Sequence, residues 1–266
     1  MGRLGNRNVR RCDVERVIRA GLALACGVCL LCVSDVLAAE SGAASVATVL
    51  ARAQARYAAI DRMQASFKQV TFNATMGKEE HSRGLYYAEK PGKVRWDYEK
   101  PVVQHLVVSG GRVLFYVPSD KQLVFSDASE MEELKALLDL LGGQRSVMGR
   151  FKARLLPDDK REPKSDRYVV RIVPKKPMGN LLRLDLAINK KTFLVEETTY
   201  VDIYGNKTRI SFSHIKMPKR FKSSLFALDV PQNVTVIDSA GNPVRRGAAQ
   251  KGATKNKPAD NVQGAR

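Results

Sequence analysis

Cysteine is missing from the sequence after residue 32. The four cysteines, Cys12, Cys26, Cys29 and Cys32, all lie close to the N-terminus. The remainder of the chain therefore has no thiol from which to build a disulfide scaffold or a thiolate metal site. A chain without cysteine also suits an oxidising compartment.

Residues that usually carry catalysis are also scarce. The three histidines, His81, His105 and His214, stand alone, and none has a neighbour at metal-ligand spacing. The sequence contains no nucleophile elbow and no glycine-rich phosphate loop. We therefore expect no metal, no cofactor and no enzymatic activity. A pair of carboxylates brought together only by the fold stays open, and it would make the protein an enzyme acting on a lipid or a glycan.

The N-terminus has the three parts of a secretory signal peptide. Six arginines precede an uncharged apolar stretch at 21–31, and Val36-Leu37-Ala38 offers small residues for cleavage after Ala38. The apolar stretch is shorter than the roughly 20 residues that a membrane span needs. We predict a signal peptide at 1–38 and a secreted protein. An uncleaved anchor and lipid attachment at Cys26 remain alternatives.

Positive charge exceeds negative charge, with a formal net charge of +18. Such a balance often indicates a nucleic-acid partner, but a secreted protein rarely meets nucleic acid. Solubility, or attraction to anionic membrane surfaces and acidic partners, is the better interpretation. We expect no nucleic-acid partner.

The rest of the chain divides into a domain at 39–239 and a disordered basic tail at 240–266, which has almost no large apolar residue. Within the domain, apolar residues at helical spacing predict a first helix at 44–62. Ser129 and Glu132 form a capping box for a second helix, which ends at Gly142-Gly143. No repeat or linker divides the domain.

Short β-branched or aromatic segments separated by turn residues predict eleven or twelve strands. Their short connections require antiparallel neighbours. In one of them Val94, Trp96 and Tyr98 alternate with charged residues, which predicts one apolar and one solvated face. Such a sheet must close, form a sandwich or be covered. From periodicity alone, a solid core and a lidded apolar cavity both remain open.

An ordered series of motifs between 63 and 123 resembles the LolA family of periplasmic lipoprotein carriers. It includes Met63-Gln64-Ala65-Ser66-Phe67, Lys90-Pro91-Gly92-Lys93-Val94-Arg95-Trp96 and Val107-Val108-Ser109-Gly110-Gly111. A later segment, Phe226-Ala227-Leu228-Asp229-Val230-Pro231, is similar to the end of the family's domain. The stretch at 151–200 matches by pattern only.

The resemblance implies a mainly β (α+β) fold, an open antiparallel half-barrel of about eleven strands with a helical lid over an apolar cavity. The expected cavity residues are apolar or aromatic: Phe67, Tyr87, Val94, Trp96, Tyr98, Leu106, Val108, Phe115, Leu184, Leu186 and Phe212. The expected lid residues form the apolar stripe of the second helix: Met131, Leu134, Leu137, Leu138 and Leu141.

The resemblance also implies a residue that locks the lid. Familiar members hold an arginine before the proline of the Lys90-Pro91 pair, where it binds the lid backbone, and this sequence has Lys90. Lysine provides a point charge without the planar fork of arginine. Lys90 is therefore the candidate locking residue.

The function implied is carriage of lipoproteins by their acyl chains, without covalent chemistry. The expected partners are an inner-membrane lipoprotein-release ABC transporter and an outer-membrane lipoprotein receptor, and the carrier is expected to be a monomer. Two alternatives on the same fold stay open: a carrier of another lipid, such as a glycolipid, and a lipoprotein-sensing regulator.

Overall fold

The computed structural model describes residues 44–128, 150–157 and 166–244. Within these ranges the chain forms one α-helix and twelve strands. The predicted signal peptide, the predicted second helix and the tail from 245 onward lie outside the described residues.

The α-helix, α1 (Val46–Ala58), begins where the Ser45 side chain accepts a hydrogen bond from the Thr48 N–H at 3.1 Å. Val49, Leu50 and Ala53 form its buried face. The helix is shorter than the predicted 44–62, because a turn follows Ala58 and Arg62 already belongs to the first strand.

The strands follow α1 along the chain. They are β1 (Arg62–Asn73), β2 (Lys78–Glu89), β3 (Lys93–Lys100), β4 (Gln104–Ser109), β5 (Arg112–Val117), β6 (Gln122–Asp127), β7 (Phe151–Leu155), β8 (Arg167–Pro174), β9 (Leu181–Asn189), β10 (Val195–Asp202), β11 (Lys207–Lys216) and β12 (Thr235–Asp238). Short 3₁₀ turns occupy Pro118–Asp120 and Ser223–Phe226.

All twelve strands belong to one open sheet in the order β12-β6-β5-β4-β3-β2-β1-β11-β10-β9-β8-β7. The predicted mainly β, open fold is confirmed. One pairing differs from the prediction, because β12 lies parallel to β6. The connection from β11 to β12 is long enough to return the chain to the far edge in this direction, which the short hairpin turns do not allow.

One face of the sheet, here called the inner face, carries two apolar clusters. The first is built from β1 to β6 and β11 and is centred on Phe67, Trp96 and Phe115. The second is built from β7 to β10, and α1 packs on it through Val49, Leu50 and Ala53. The register joins the two on one face, since Leu186, Thr198, Ile210 and Gln69 lie in one row across β9, β10, β11 and β1.

The opposite, outer face is covered over β5 and β6 by the segment after β11. Val234 and Val236 pack there with Tyr116 and Leu123. The chain continues past β12 into a turn around Asp238, after which the Val244 N–H donates to the Val236 carbonyl. Val244, which the sequence assigns to the tail, thus takes part in this packing.

Candidate functional site

The candidate site is the inner-face cluster centred on Phe67, Trp96 and Phe115, here called the aromatic cluster. In one row of the sheet, Tyr86, Trp96, Leu106 and Phe115 are direct neighbours on β2 to β5. Because paired residues in a ladder point to the same side of a sheet, this row forms a continuous apolar surface.

Trp96 lies at the centre of the aromatic cluster. Its ring centroid is 4.7 Å from that of Phe67 and 4.6 Å from that of Tyr86, and Phe212 lies 5.9 Å away. These are the tilted and edge-to-face arrangements that aromatic pairs prefer. Trp96 is 0 % exposed, and its indole Nε1 has no hydrogen-bond partner in the described part of the chain.

Gly84 allows this packing. A Cβ atom at this position would lie 1.9 Å from the backbone oxygen of Asp97 and 3.0 Å from the ring of Phe67. The β2–β3 register also shifts between Arg83 and Gly84. The absence of a side chain at Gly84 therefore leaves room for the Phe67 ring on the inner face of the sheet.

The structure brings most of the predicted cavity residues together. The aromatic cluster contains seven of them, with Phe212 packed against its border. The seven are Phe67, Val94, Trp96, Tyr98, Leu106, Val108 and Phe115. Leu184 and Leu186 share the inner face but lie in the other cluster, with α1.

Tyr87 was predicted to line the cavity, and the structure places it on the outer face. Its ring lies edge-on to Phe221 at 5.9 Å. Tyr86 is the inward residue and packs on Trp96. The sequence does not show which of the two adjacent tyrosines faces inward. The register of β2 against β3 decides it, because Tyr86 pairs with Trp96.

The predicted lid residues, Met131, Leu134, Leu137, Leu138 and Leu141, lie outside the described residues. Within the described residues, α1 is the helix that packs on the inner face, over β7 to β10.

A buried polar strip borders the aromatic cluster. The Tyr98 hydroxyl donates to Gln69 Oε1 at 3.0 Å, and Gln69 Nε2 donates to Thr71 Oγ1 at 3.2 Å. Burial raises the pKa of Tyr98 far above its ordinary value, so the phenol stays a neutral donor. These bonds give the inner face a polar boundary that sequence alternation did not reveal.

Lys90 lies at the C-terminus of α1. Its Nζ donates to the carbonyl oxygens of Tyr57 and Ala58, each at 2.8 Å. Helix C-termini leave carbonyls unbonded and carry partial negative charge, so a cation is favourable there. The Tyr57 hydroxyl also accepts from the Val195 N–H at 3.2 Å, and burial raises the pKa of Tyr57 to about 12.

An ionic network on the outer face connects β3 to the segment after β11. Arg95 Nε donates to both carboxylate oxygens of Asp97 at 2.8 Å, and Arg95 Nη1 donates to the Leu225 carbonyl at 2.8 Å. His105 Nδ1 lies 2.6 Å from Asp97 Oδ1. Arg95 thus points outward, as the alternation predicted, and its backbone partner was not predicted.

Burial by itself would raise the pKa of Asp97. The hydrogen bonds from His105 and Arg95, together with the charge of Arg95, outweigh burial and bring the pKa of Asp97 below its ordinary value. The carboxylate is therefore stabilised in its ionised form.

The outer face also has a groove of about 240 Å³ over β1, β10 and β11. Its lining mixes charged, polar and apolar side chains: Val70, Phe72, Glu79, Thr199, Lys207 and Arg209. The groove is on the side of the sheet away from Trp96.

The described ranges contain no group of three or more histidine, cysteine or acidic residues positioned to hold a metal ion. No helix within them is long and apolar enough to cross a membrane.

Comparison with known proteins adds several similarities. The chain is 28% identical to an outer-membrane lipoprotein carrier protein of Methylococcus capsulatus over 176 residues, 66% of this chain and 81% of that protein. It is 26% identical to the protein of the same name from Chromobacterium violaceum, over 76% of this chain and 93% of that protein. An uncharacterized conserved protein from Thermus thermophilus has a structure matching 71% of this chain and 96% of its own, with a TM-score of 0.46 and 15% identity.

A family model also matches this chain. Residues 58–229 match the model described as outer membrane lipoprotein carrier protein LolA. This range includes β1 to β11 and therefore the whole aromatic cluster, with Trp96 at its centre. The chain belongs to the LolA family.

Proposed function

We propose that this protein binds the acyl chains of lipoproteins on the inner face of its sheet and carries them across the periplasm, from the inner to the outer membrane. The single observation that carries the proposal is the apolar row through Tyr86, Trp96, Leu106 and Phe115. Family membership and the names of the relatives agree with a carrier.

The energetics suit an acyl ligand. Each CH₂ group that moves from water into an apolar site contributes about 0.8 kcal/mol. A full chain laid along the aromatic cluster would then bind strongly without any charged contact. The role requires only binding, and no catalytic step enters the proposal.

A carrier must also release its cargo. In the proposed cycle a helix competes with the acyl chains for the inner face. The net affinity for cargo is therefore lower than the acyl chains alone would give. The predicted lid at Met131 to Leu141 is one such helix, and α1 is a second, with its C-terminus bonded to Lys90. The inner-membrane transporter would supply the cargo and the outer-membrane receptor would accept it.

The proposed setting is the periplasm, reached through the cleaved signal peptide at 1–38. The mature protein would then begin at residue 39, and the basic tail would follow the domain after residue 244. Deletion of the tail from residue 250 onward is expected to leave cargo uptake unchanged.

The test is extraction of a labelled triacylated lipoprotein from membranes that hold the release transporter. The purified mature protein is expected to take the lipoprotein into a soluble one-to-one complex. Trp96→Glu, which places a charge in the aromatic cluster, should abolish this complex.

Leu182→Glu is the matched control, because Leu182 is 45 % exposed and a carboxylate is tolerated there. Circular dichroism establishes that both variants are folded. If the wild-type protein extracts nothing but binds free glycolipid, the cargo is another lipid. If it binds no lipid at all, the proposed function is wrong and the inner face is part of a solid core.

A further inference from the structure

Trp96 combines complete burial with an unused hydrogen-bond donor. The side chain is 0 % exposed, and Nε1 has no partner among the described residues. The indole of tryptophan can only donate, and buried tryptophans usually place this N–H on an acceptor. A phenylalanine would fill the same position without leaving a donor unpaired.

No carbonyl or hydroxyl of the described residues accepts a hydrogen bond from Trp96 Nε1. Phe67, Tyr86 and Phe212 surround it with rings. The Tyr98 hydroxyl donates to Gln69, and it accepts no hydrogen bond from Nε1. Contact of an N–H with a ring face is only a weak substitute for a carbonyl acceptor.

We propose that Trp96 Nε1 donates a hydrogen bond to an ester or amide carbonyl of the bound cargo. This inference rests on the proposed function, and it names the chemistry that the site recognises besides hydrocarbon. Acyl chains attached through an ester or amide carry one carbonyl each, next to the first CH₂ group. A donor in the middle of the apolar face sets the depth at which that carbonyl stops.

The donor distinguishes acyl chains from alkyl chains. A dialkyl ether has the same hydrocarbon but lacks the carbonyl oxygen. The ether leaves the indole donor unpaired, as it is in the free protein, whereas the ester gains a hydrogen bond with it. The site therefore prefers ester-linked or amide-linked chains over ether-linked chains of equal length.

The experiment compares dipalmitoylglycerol with its dihexadecyl ether analogue, both radiolabelled and delivered from detergent micelles to the mature protein. The wild-type protein is expected to bind the ester about three- to tenfold more tightly, the ratio expected for one neutral hydrogen bond. Trp96→Phe keeps an aromatic ring and removes the N–H, so the ratio should fall to about one.

Tyr116→Phe is the matched control. It also removes one aromatic hydroxyl from a buried residue, but Tyr116 lies on the outer face, where it packs with Leu123 and Val236. The ratio of ester to ether affinity should stay as in the wild-type protein. Thermal unfolding of each variant separates a loss of fold from a loss of selectivity.

NMR gives a second readout, because the sequence has a single tryptophan and hence a single indole N–H signal. The signal should move downfield on addition of the ester and should not do so with the ether. Equal wild-type affinities for the two lipids, or a preference that survives in Trp96→Phe, would overturn the inference while leaving the carrier function intact. Binding of neither lipid would overturn both.

Discussion

The Nζ atom of Lys90 lies 2.8 Å from the carbonyl oxygen of Tyr57, in the last turn of α1. Lys90 directly follows β2. The bond therefore joins the end of β2 to the end of α1, the helix that packs on the inner face of the sheet. The same Nζ reaches the carbonyl of Ala58. The helix is held at its C-terminus by a single, solvent-accessible cation.

The first prediction concerns this bond. Lys90→Met removes the cation and should lower the free energy of unfolding by about 0.3–1 kcal/mol. Amide hydrogen exchange should accelerate in α1 while the exchange in β3 to β6 stays unchanged. Lys90→Arg is the control, since it keeps the charge and the donors. Unchanged exchange in the methionine variant would show that Lys90 does not hold the helix.

The second prediction concerns Gly84. Gly84→Ala places a methyl group where the Asp97 backbone oxygen and the Phe67 ring now lie, so β2 and β3 must separate locally. We expect the free energy of unfolding, measured by urea denaturation, to fall by about 1–3 kcal/mol. Ser82→Ala, two residues earlier on the same strand face, adds no volume. An alanine variant as stable as the wild type would contradict the close approach.

The third prediction concerns pH. Asp97→Asn weakens the bonds to Arg95 and His105 and should cost about 1–3 kcal/mol of stability at neutral pH. Because the folded-state pKa of Asp97 is lowered, this stabilisation is present above about pH 4, the ordinary value for aspartate. It is lost as the pH falls through the lower folded-state pKa.

Urea denaturation at a series of pH values measures this effect. The difference between the wild type and Asp97→Asn should shrink below about pH 4. Asp120→Asn, at an exposed turn, is the control variant. A difference that stays constant down to pH 2 would show that the charge of Asp97 contributes nothing.

The fourth prediction separates the two adjacent tyrosines. Tyr86→Leu removes a ring from the aromatic cluster and should weaken lipid binding by about 1 kcal/mol, or roughly fivefold in the dissociation constant. Tyr87→Leu removes the contact with Phe221 on the outer face and should change only stability. Equilibrium binding of radiolabelled dipalmitoylglycerol measures both. Equal effects on binding would mean that the inner face alone does not hold the lipid.

Much of this protein follows from local patterns. Alternation along β3 assigned Val94, Trp96 and Tyr98 to one face and Arg95 to the other, because successive side chains of a strand point to opposite sides. Turn residues separated the strands and predicted antiparallel neighbours, and the family resemblance implied that the sheet is open. The ordered motifs from Met63 onward were enough to suggest the LolA family, which the family match confirms.

Other features depend on pairing between distant segments. The register of β2 on β3 decides that Tyr86, and not Tyr87, faces inward, since a shift of one residue reverses every side chain. The parallel pairing of β12 with β6 joins segments more than a hundred residues apart. Local sequence contains no signal for either.

The sequence by itself therefore determined the strands, their apolar faces and the family, because these depend on neighbouring residues. Only the tertiary structure decided that Lys90 bonds the end of α1 and that Arg95 binds the Leu225 carbonyl. It also decided that the N–H of Trp96, among aromatic side chains, has no partner within the described residues. Each of these depends on where distant backbone and side-chain atoms meet in space, and hydrogen bonding is sensitive to distances of a few tenths of an ångström.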